Sequence, residues 1–416
     1  MSSNGQSTAD PSSFRWHEGL SAERYMRVSY VVETSHDPNA VALALAQEQS
    51  AVIDQIPHSG RLVDAEAFAG RVVSVALLAR HPPSGIQHYA FDPNERPPGG
   101  GAQWYRIEVA YPLLSAPMSL THMWTVIGAE VHRFGFVRAL QIEDFSVPEM
   151  AGVLGPRFGA QGIRELSGVS DRPLLCRSAR PAVGASDREM AEMAGIVLSA
   201  GFDIVKDDEL TLAADAAAAA SRTRKIAAAV RRAMDETGER KLYLANAIGS
   251  RNQTLAIADA AVSNGADGLL VSPAIQGVEV CGELADEFGV PVLCHNTWSD
   301  VLSRHPRFGV SIPALARLQR LSGADWVMAP GPFATTDVPT DEAFLDAVRG
   351  SPTESKAAMP ILAGGKVPER FAQYVEAVGG SDFMLIVATA IDTFPEGMAA
   401  GARAFRAAVM EGSDDA

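Results

Sequence analysis

The chain has 416 residues, 47% of them hydrophobic, which is material for two or three domains or for one barrel with an addition. Its 35 basic and 50 acidic side chains give a net charge of −15, which argues against a nucleic-acid or anionic-membrane surface. Cys176, Cys281 and Cys294 include no C-x-x-C pair, residues 1–13 lack the cationic and apolar regions of a signal peptide, and no apolar run approaches the roughly 18 residues of a membrane span, so a cytoplasmic protein with reduced thiols is expected.

Residues 1–23 are rich in Ser, Asp and Gly and are expected to form a disordered tail. In the domain at 24–150, residues 25–33 place Met26, Val28, Tyr30 and Val32 on one face, the period of a strand. Helix patterns follow at 38–50 and 119–130, and strand patterns at 71–78, 104–113 and 136–147. The order β-α-β-β-α-β is that of a ferredoxin-like α+β domain. Between its second and third strands, residues 81–101 carry two proline pairs and Gly99-Gly100-Gly101, the composition of a loop.

In the domain at 151–416, strand patterns recur at 173–177, 202–206, 242–247, 268–272, 291–295, 326–329, 360–363 and 383–387. Helix patterns lie between them, among others at 213–234, 253–263, 312–321, 368–378 and 397–410. Buried apolar runs alternating with amphipathic helices require a parallel sheet covered by helices, and eight such runs close into a (β/α)8 TIM barrel. A doubly wound open sheet is the alternative, against which stands the absence of G-x-G-x-x-G after the first strand. Arg222, Arg224, Lys225, Arg231 and Arg232 read as the solvent face of the second barrel helix.

Lys206-Asp207-Asp208-Glu209 ends the apolar run Phe202, Ile204, Val205. Four consecutive charges are ordinarily a solvated face, but these stand at the C-terminal end of a barrel strand, where barrel enzymes keep their chemistry. Two carboxylates offer hard oxygen ligands to Mg²⁺, and a lysine can add a third oxygen only as its CO₂ carbamate, because an ammonium repels the metal. A Schiff-base aldolase lysine is the other use of Lys206, and neighbouring carboxylates that keep the amine protonated count against it.

The succession of ferredoxin-like domain, barrel and Gly201-Phe-Asp-Ile-Val-Lys-Asp-Asp-Glu209 resembles the large chain of ribulose-1,5-bisphosphate carboxylase (Rubisco), over roughly residues 24 to 412. Ala110-Tyr-Pro112, Arg138-Ala-Leu-Gln-Ile-Glu-Asp144, Arg172-Pro-Leu-Leu-Cys176 and His295 at the end of strand five match by position. The resemblance implies a carbamylated Lys206, Mg²⁺ held by Lys206, Asp208 and Glu209, and an active-site role for His295, although a strand-end histidine also serves as a plain polar cap.

The departures point to a Rubisco-like protein of the form IV type and not to a carboxylase. Arg180, in Ser178-Ala-Arg-Pro-Ala-Val-Gly184, replaces the lysine base of the family, and a guanidinium clamps an oxyanion but does not abstract a proton. Ala182, Asn296 and Met328 replace a lysine, an arginine and a phosphate-binding histidine, and the lid Ala329-Pro-Gly-Pro-Phe-Ala-Thr335 has no lysine. Strand seven ends in Ala363-Gly364-Gly365, and strand eight in Val387-Ala388-Thr389 where the family has phosphate-binding glycines. Carboxylation is not expected. The implied substrate is a sugar-derived or methylthio-sugar keto compound with at most one phosphate, enolised, isomerised or decarboxylated through an enediolate. Arg180, His295 and the Lys206 carbamate are the catalytic candidates, and Gly364, Gly365 and Lys366 line the expected substrate site, with Lys366 either a solvated loop lysine or the cation for a substrate carboxylate. The resemblance also implies a homodimer or a multiple of dimers, with Glu48 and His132 reaching the partner's barrel mouth. A divergent, non-catalytic metal-binding protein of the same fold is the alternative reading.

Overall fold

The computed structural model describes residues 11–50, 65–78, 82–86, 101–329, 342–351 and 355–414. They form two compact units: Met1–Val153 with Val301–Leu315, and Leu154–Asp300 with Ala316–Ala416.

The first unit is built on an antiparallel sheet in which β1 (Tyr25–Thr34) lies between β3 (Gln103–Pro112) and β4 (Ala139–Ser146), and β2 (Arg71–Leu77) forms the edge beside β3. Two helices connect these strands: α1 (Pro38–Glu48), whose start is fixed by Pro38 and by the Asp37 side chain accepting the Asn39 amide, and α2 (Leu120–Gly128), capped by Ser119. The expected alternation holds, since Met26, Val28, Tyr30 and Val32 are all fully buried. Buried tyrosines tie the helices to the sheet: Tyr30 donates to the Ile127 carbonyl at 2.7 Å and Tyr111 to the Leu45 carbonyl at 3.1 Å. This is the expected ferredoxin-like order, with one addition. A two-residue strand, β10 (Gly309–Val310), pairs in parallel with β4, so the unit takes in Val301–Leu315, which contiguous limits at 24–150 and 151–416 do not provide for.

The expected tail at 1–23 is corrected over its second half. Phe14 is buried, the Trp16 amide donates to the Val72 carbonyl at 3.0 Å, and the Trp16 ring meets Tyr25 edge-on at 5.3 Å. Residues 1–10 lie outside the described residues, as does most of the expected loop at 81–101.

The second unit is a closed ring of eight parallel strands in the order β11-β12-β13-β5-β6-β7-β8-β9. They are β5 (Leu174–Ala179), β6 (Ile204–Asp207), β7 (Leu242–Asn246), β8 (Gly268–Val271), β9 (Val292–Cys294), β11 (Trp326–Met328), β12 (Met359–Leu362) and β13 (Met384–Val387). Alternate residues fill the interior: Leu174 and Cys176, Ile204, Leu242 and Leu244, Leu270, Leu293, Trp326 and Met328, Met359 and Ile361, Met384 and Ile386. Each such side chain, fully buried, contributes about 1.5–3 kcal/mol, so the interior is a packed core and not a pore. No helix among the described residues is long and apolar enough to cross a membrane.

Candidate active site

The two-residue period of the strands decides which side chains reach the barrel mouth. Two residues beyond the inward Cys176, Ile204, Leu244, Leu293, Ile361 and Ile386 stand Ser178, Lys206, Asn246, His295, Ala363 and Ala388. Five of these, all but Asn246, line one cavity of about 310 Å³ together with Arg180, Asp208, Glu209, Met328 and Lys366. The barrel therefore brings together every expected site residue that lies in it: Arg180, Lys206, Asp208, Glu209, His295, Gly364, Gly365 and Lys366 all line this cavity.

Asp207 has the opposite parity and points between strand and helix. Tyr243 and the Asn246 amide donate to it at 3.0 Å each, and Arg222 pairs with it at 3.3 Å. Burial raises its pKa against the opposing Arg222 charge, and removing one member of such a buried pair costs about 3–5 kcal/mol. Arg222 is thus buried beneath the site, which corrects its assignment to the solvent face; Arg224, Lys225, Arg231 and Arg232 are exposed as expected.

Lys206 is 1% exposed and its amine donates to the Asp207 carbonyl at 3.0 Å. Asp208 accepts the Leu210 amide at 3.1 Å on Oδ1, and Arg180 Nε at 3.1 Å and Ser178 Oγ at 3.3 Å on Oδ2. Asn246 Nδ2 donates to the carbonyls of Asp208 and Glu209 at 3.0 Å each, fixing the backbone that carries both carboxylates.

Glu209 Oε2 meets His295 Nε2 at 3.2 Å. Burial opposes the charge on Glu209, but the hydrogen bond from His295 and the field of the Lys206 ammonium outweigh it and hold the carboxyl at about 2. Burial lowers the pKa of His295. On its other side the Thr297 hydroxyl lies 2.7 Å and the Thr297 amide 3.2 Å from Nδ1. An amide can only donate, so Nδ1 is the acceptor, and a neutral ring carries its proton on Nε2 toward an ionised Glu209.

The remaining wall follows from the loops. Gly364 and Gly365 have φ of 72° and 60°, a left-handed backbone that glycine adopts without strain, and they bring main chain to the cavity. Lys366 is 5% exposed, so the solvated-lysine reading is corrected; its amine donates to the Gly364 carbonyl at 3.0 Å. Met328, Ala388 and Thr389, the expected replacements of phosphate partners, line the cavity, and Asp300 adds a carboxylate. Ala329 lines the cavity, while the rest of the lid, 330–335, lies outside the described residues.

In the first unit, Glu48 is exposed at the end of α1, whereas His132 is half-buried with its ring edge-on to Phe308 at 5.5 Å, and burial lowers its pKa. Sequence reasoning missed Ser178, Asn246, Thr297 and Asp300. Strand parity beyond Cys176 and Leu244 was signal enough for Ser178 and Asn246; nothing in the sequence marked the other two.

The sequence pattern of the ribulose bisphosphate carboxylase large chain, catalytic domain, matches residues 159–415. The chain belongs to the Rubisco large-chain family. Its relatives include ribulose bisphosphate carboxylase-like protein 2 of Rhodopseudomonas palustris, 29% identical over 94% of this chain and 90% of that protein. Another is the 2,3-diketo-5-methylthiopentyl-1-phosphate enolase of Bacillus licheniformis, 27% identical over 74% of this chain and 77% of that protein. Among solved structures, the octameric Rubisco of Pyrococcus horikoshii superposes with a TM-score of 0.83 at 24% identity, covering 97% of this chain and 92% of that one, which establishes the shared Rubisco fold.

Proposed function

We propose that the protein is a Mg²⁺-dependent enzyme that forms an enediolate from a sugar-derived keto compound, and that it does not carboxylate ribulose bisphosphate. The observation that carries this reading is the convergence of Lys206, Asp208 and Glu209 on one cavity that Met328, Ala388 and Thr389 also line.

The donor set fits the metal on one condition. Among the described residues no three His, Cys, Asp or Glu side chains gather as a cation site. Asp208 and Glu209 would supply two carboxylates, and the buried Lys206 ammonium would give a third oxygen donor by losing one proton to become the free amine, which would add to CO₂ and release a second proton to leave the carbamate. When bound, Mg²⁺ polarises the two oxygens of a hydroxy-ketone or oxo-acid and stabilises an enediolate.

The chain's own groups divide the remaining work. Arg180 offers a fixed positive charge to a substrate anion and cannot serve as base. His295, with its proton on Nε2 and Nδ1 occupied by Thr297, acts as a hydrogen-bond donor in the resting state. Lys366 holds a buried cation beside the Gly364-Gly365 backbone, suited to a carboxylate or to a single phosphate. The enolase activity named for the Bacillus relative is of this reaction class.

We place the enzyme in the cytoplasm as a homodimer or multiple of dimers, with the exposed Glu48 completing the partner's site. A non-catalytic metal-binding role is the second reading, favoured by the replacement of the phosphate partners at Met328, Ala388 and Thr389. The test is deuterium exchange: ketose phosphates, sugar acids and oxo-acids are incubated in D₂O with Mg²⁺ and bicarbonate. Exchange α to a carbonyl, or loss of CO₂, that disappears in Lys206→Ala supports the enzyme; no exchange or turnover across the set supports the second reading.

A further inference from the structure

The Asp208 carboxylate is enclosed, its side chain 3% exposed, and three donors already occupy its oxygens. Oδ1 accepts the Leu210 amide, while Oδ2 accepts Ser178 Oγ and Arg180 Nε. A carboxylate oxygen has two in-plane lone pairs, so Oδ2 is saturated in this arrangement. The Leu210 amide is fixed by the backbone, and Ser178 is a buried, uncharged donor of β5 that does not oppose a cation. The Arg180 side chain is 43% exposed at the cavity mouth on a long flexible stem, and it is the donor whose charge opposes an incoming cation.

We propose that Arg180 is the resident counter-cation of Asp208: it competes with the divalent cation for this carboxylate and, once displaced, turns into the cavity as the clamp for a substrate anion. This rests on the metal-binding reading above. It adds an order of events, because the anion site is assembled only when the metal has released Arg180. It also gives residue 180 a function that the loss of a lysine base does not by itself imply. The charge stays in the site while its partner changes from Asp208 to the substrate.

Calorimetric titration of the full chain with Mg²⁺, with bicarbonate in the buffer, tests the idea on wild type, Arg180→Gln, Ser178→Ala and Lys206→Ala, each checked for native circular dichroism. Arg180→Gln is expected to bind Mg²⁺ roughly fivefold more tightly, the size of a partly exposed ion pair removed from competition, and Ser178→Ala to change the affinity less. Equal or weaker binding by Arg180→Gln, with wild type still binding through Lys206, overturns the competition and leaves the metal reading standing. Wild type and Lys206→Ala behaving alike overturns both. A second readout is taken on the wild type: the Arg180 Nε–H resonance, assigned by its absence from Arg180→Gln, is expected to shift on saturation with Mg²⁺. A resonance unmoved at saturation overturns the displacement.

Discussion

Thr297 donates its amide to Nδ1 of His295 at 3.2 Å, which leaves Nε2 as the protonated nitrogen facing Glu209 Oε2, also at 3.2 Å. The histidine thus enters the site as an oriented donor whose tautomer is set from behind, and the carboxylate opposite it stays ionised.

The tautomer is directly measurable. Burial lowers the pKa of His295, so its neutral form persists through the ordinary histidine range near pH 6.5 and is lost only at more acid pH. Long-range ¹⁵N–¹H spectra of histidine-labelled protein at about pH 7 are expected to show one ring, missing in His295→Gln, in the Nε2–H form. An imidazolium or an Nδ1–H ring at that pH contradicts the assignment.

Asn246 does not line the cavity but holds the carbonyls of Asp208 and Glu209 at 3.0 Å each. Asn246→Ala takes this donor from the Glu209 carbonyl and leaves the Asp208 carbonyl with the Thr211 amide at 3.0 Å, and a loss of about 1–3 kcal/mol in denaturant unfolding is expected, accompanied by weaker Mg²⁺ binding. Unchanged stability together with unchanged metal affinity would show that the loop holds itself.

Ribulose-1,5-bisphosphate incubated with labelled CO₂ and Mg²⁺ is expected to give no labelled phosphoglycerate above background. Met328, Ala388 and Thr389 give a bisphosphate neither an imidazole nor a run of bare backbone amides, and Arg180 supplies no base. Turnover above background would mean that these replacements were misread.

If Glu48 completes a partner's site, Glu48→Ala and Lys206→Ala, each inactive alone, regain partial activity when mixed under conditions that allow subunit exchange. A fully active monomer at micromolar concentration excludes this arrangement.

The barrel and the ferredoxin-like domain were legible because their cores repeat: inward pairs such as Met359 and Ile361 mark strands at a fixed period. The gathering of Lys206, Asp208 and Glu209 at one cavity was legible because charges at the end of an apolar strand require a reason. Three features were not. β10 has two residues, too few for any period, and its pairing with β4 is a long-range event. Arg222 looked like a surface cation because its partner, Asp207, lies on another element and is exposed to view only once strand parity is worked through. Lys366 reads as a loop residue by composition, and its burial comes from the fold around Gly364 and Gly365.

The central claim is that Lys206 becomes a metal ligand by carbamylation, and ¹³C NMR of the protein with ¹³CO₂ and Mg²⁺ tests it most directly. One slowly exchanging carbamate signal is expected, sharpened and retained on adding Mg²⁺ and absent from Lys206→Ala. Tight Mg²⁺ binding with no carbamate signal, or the same signal in Lys206→Ala, would contradict it.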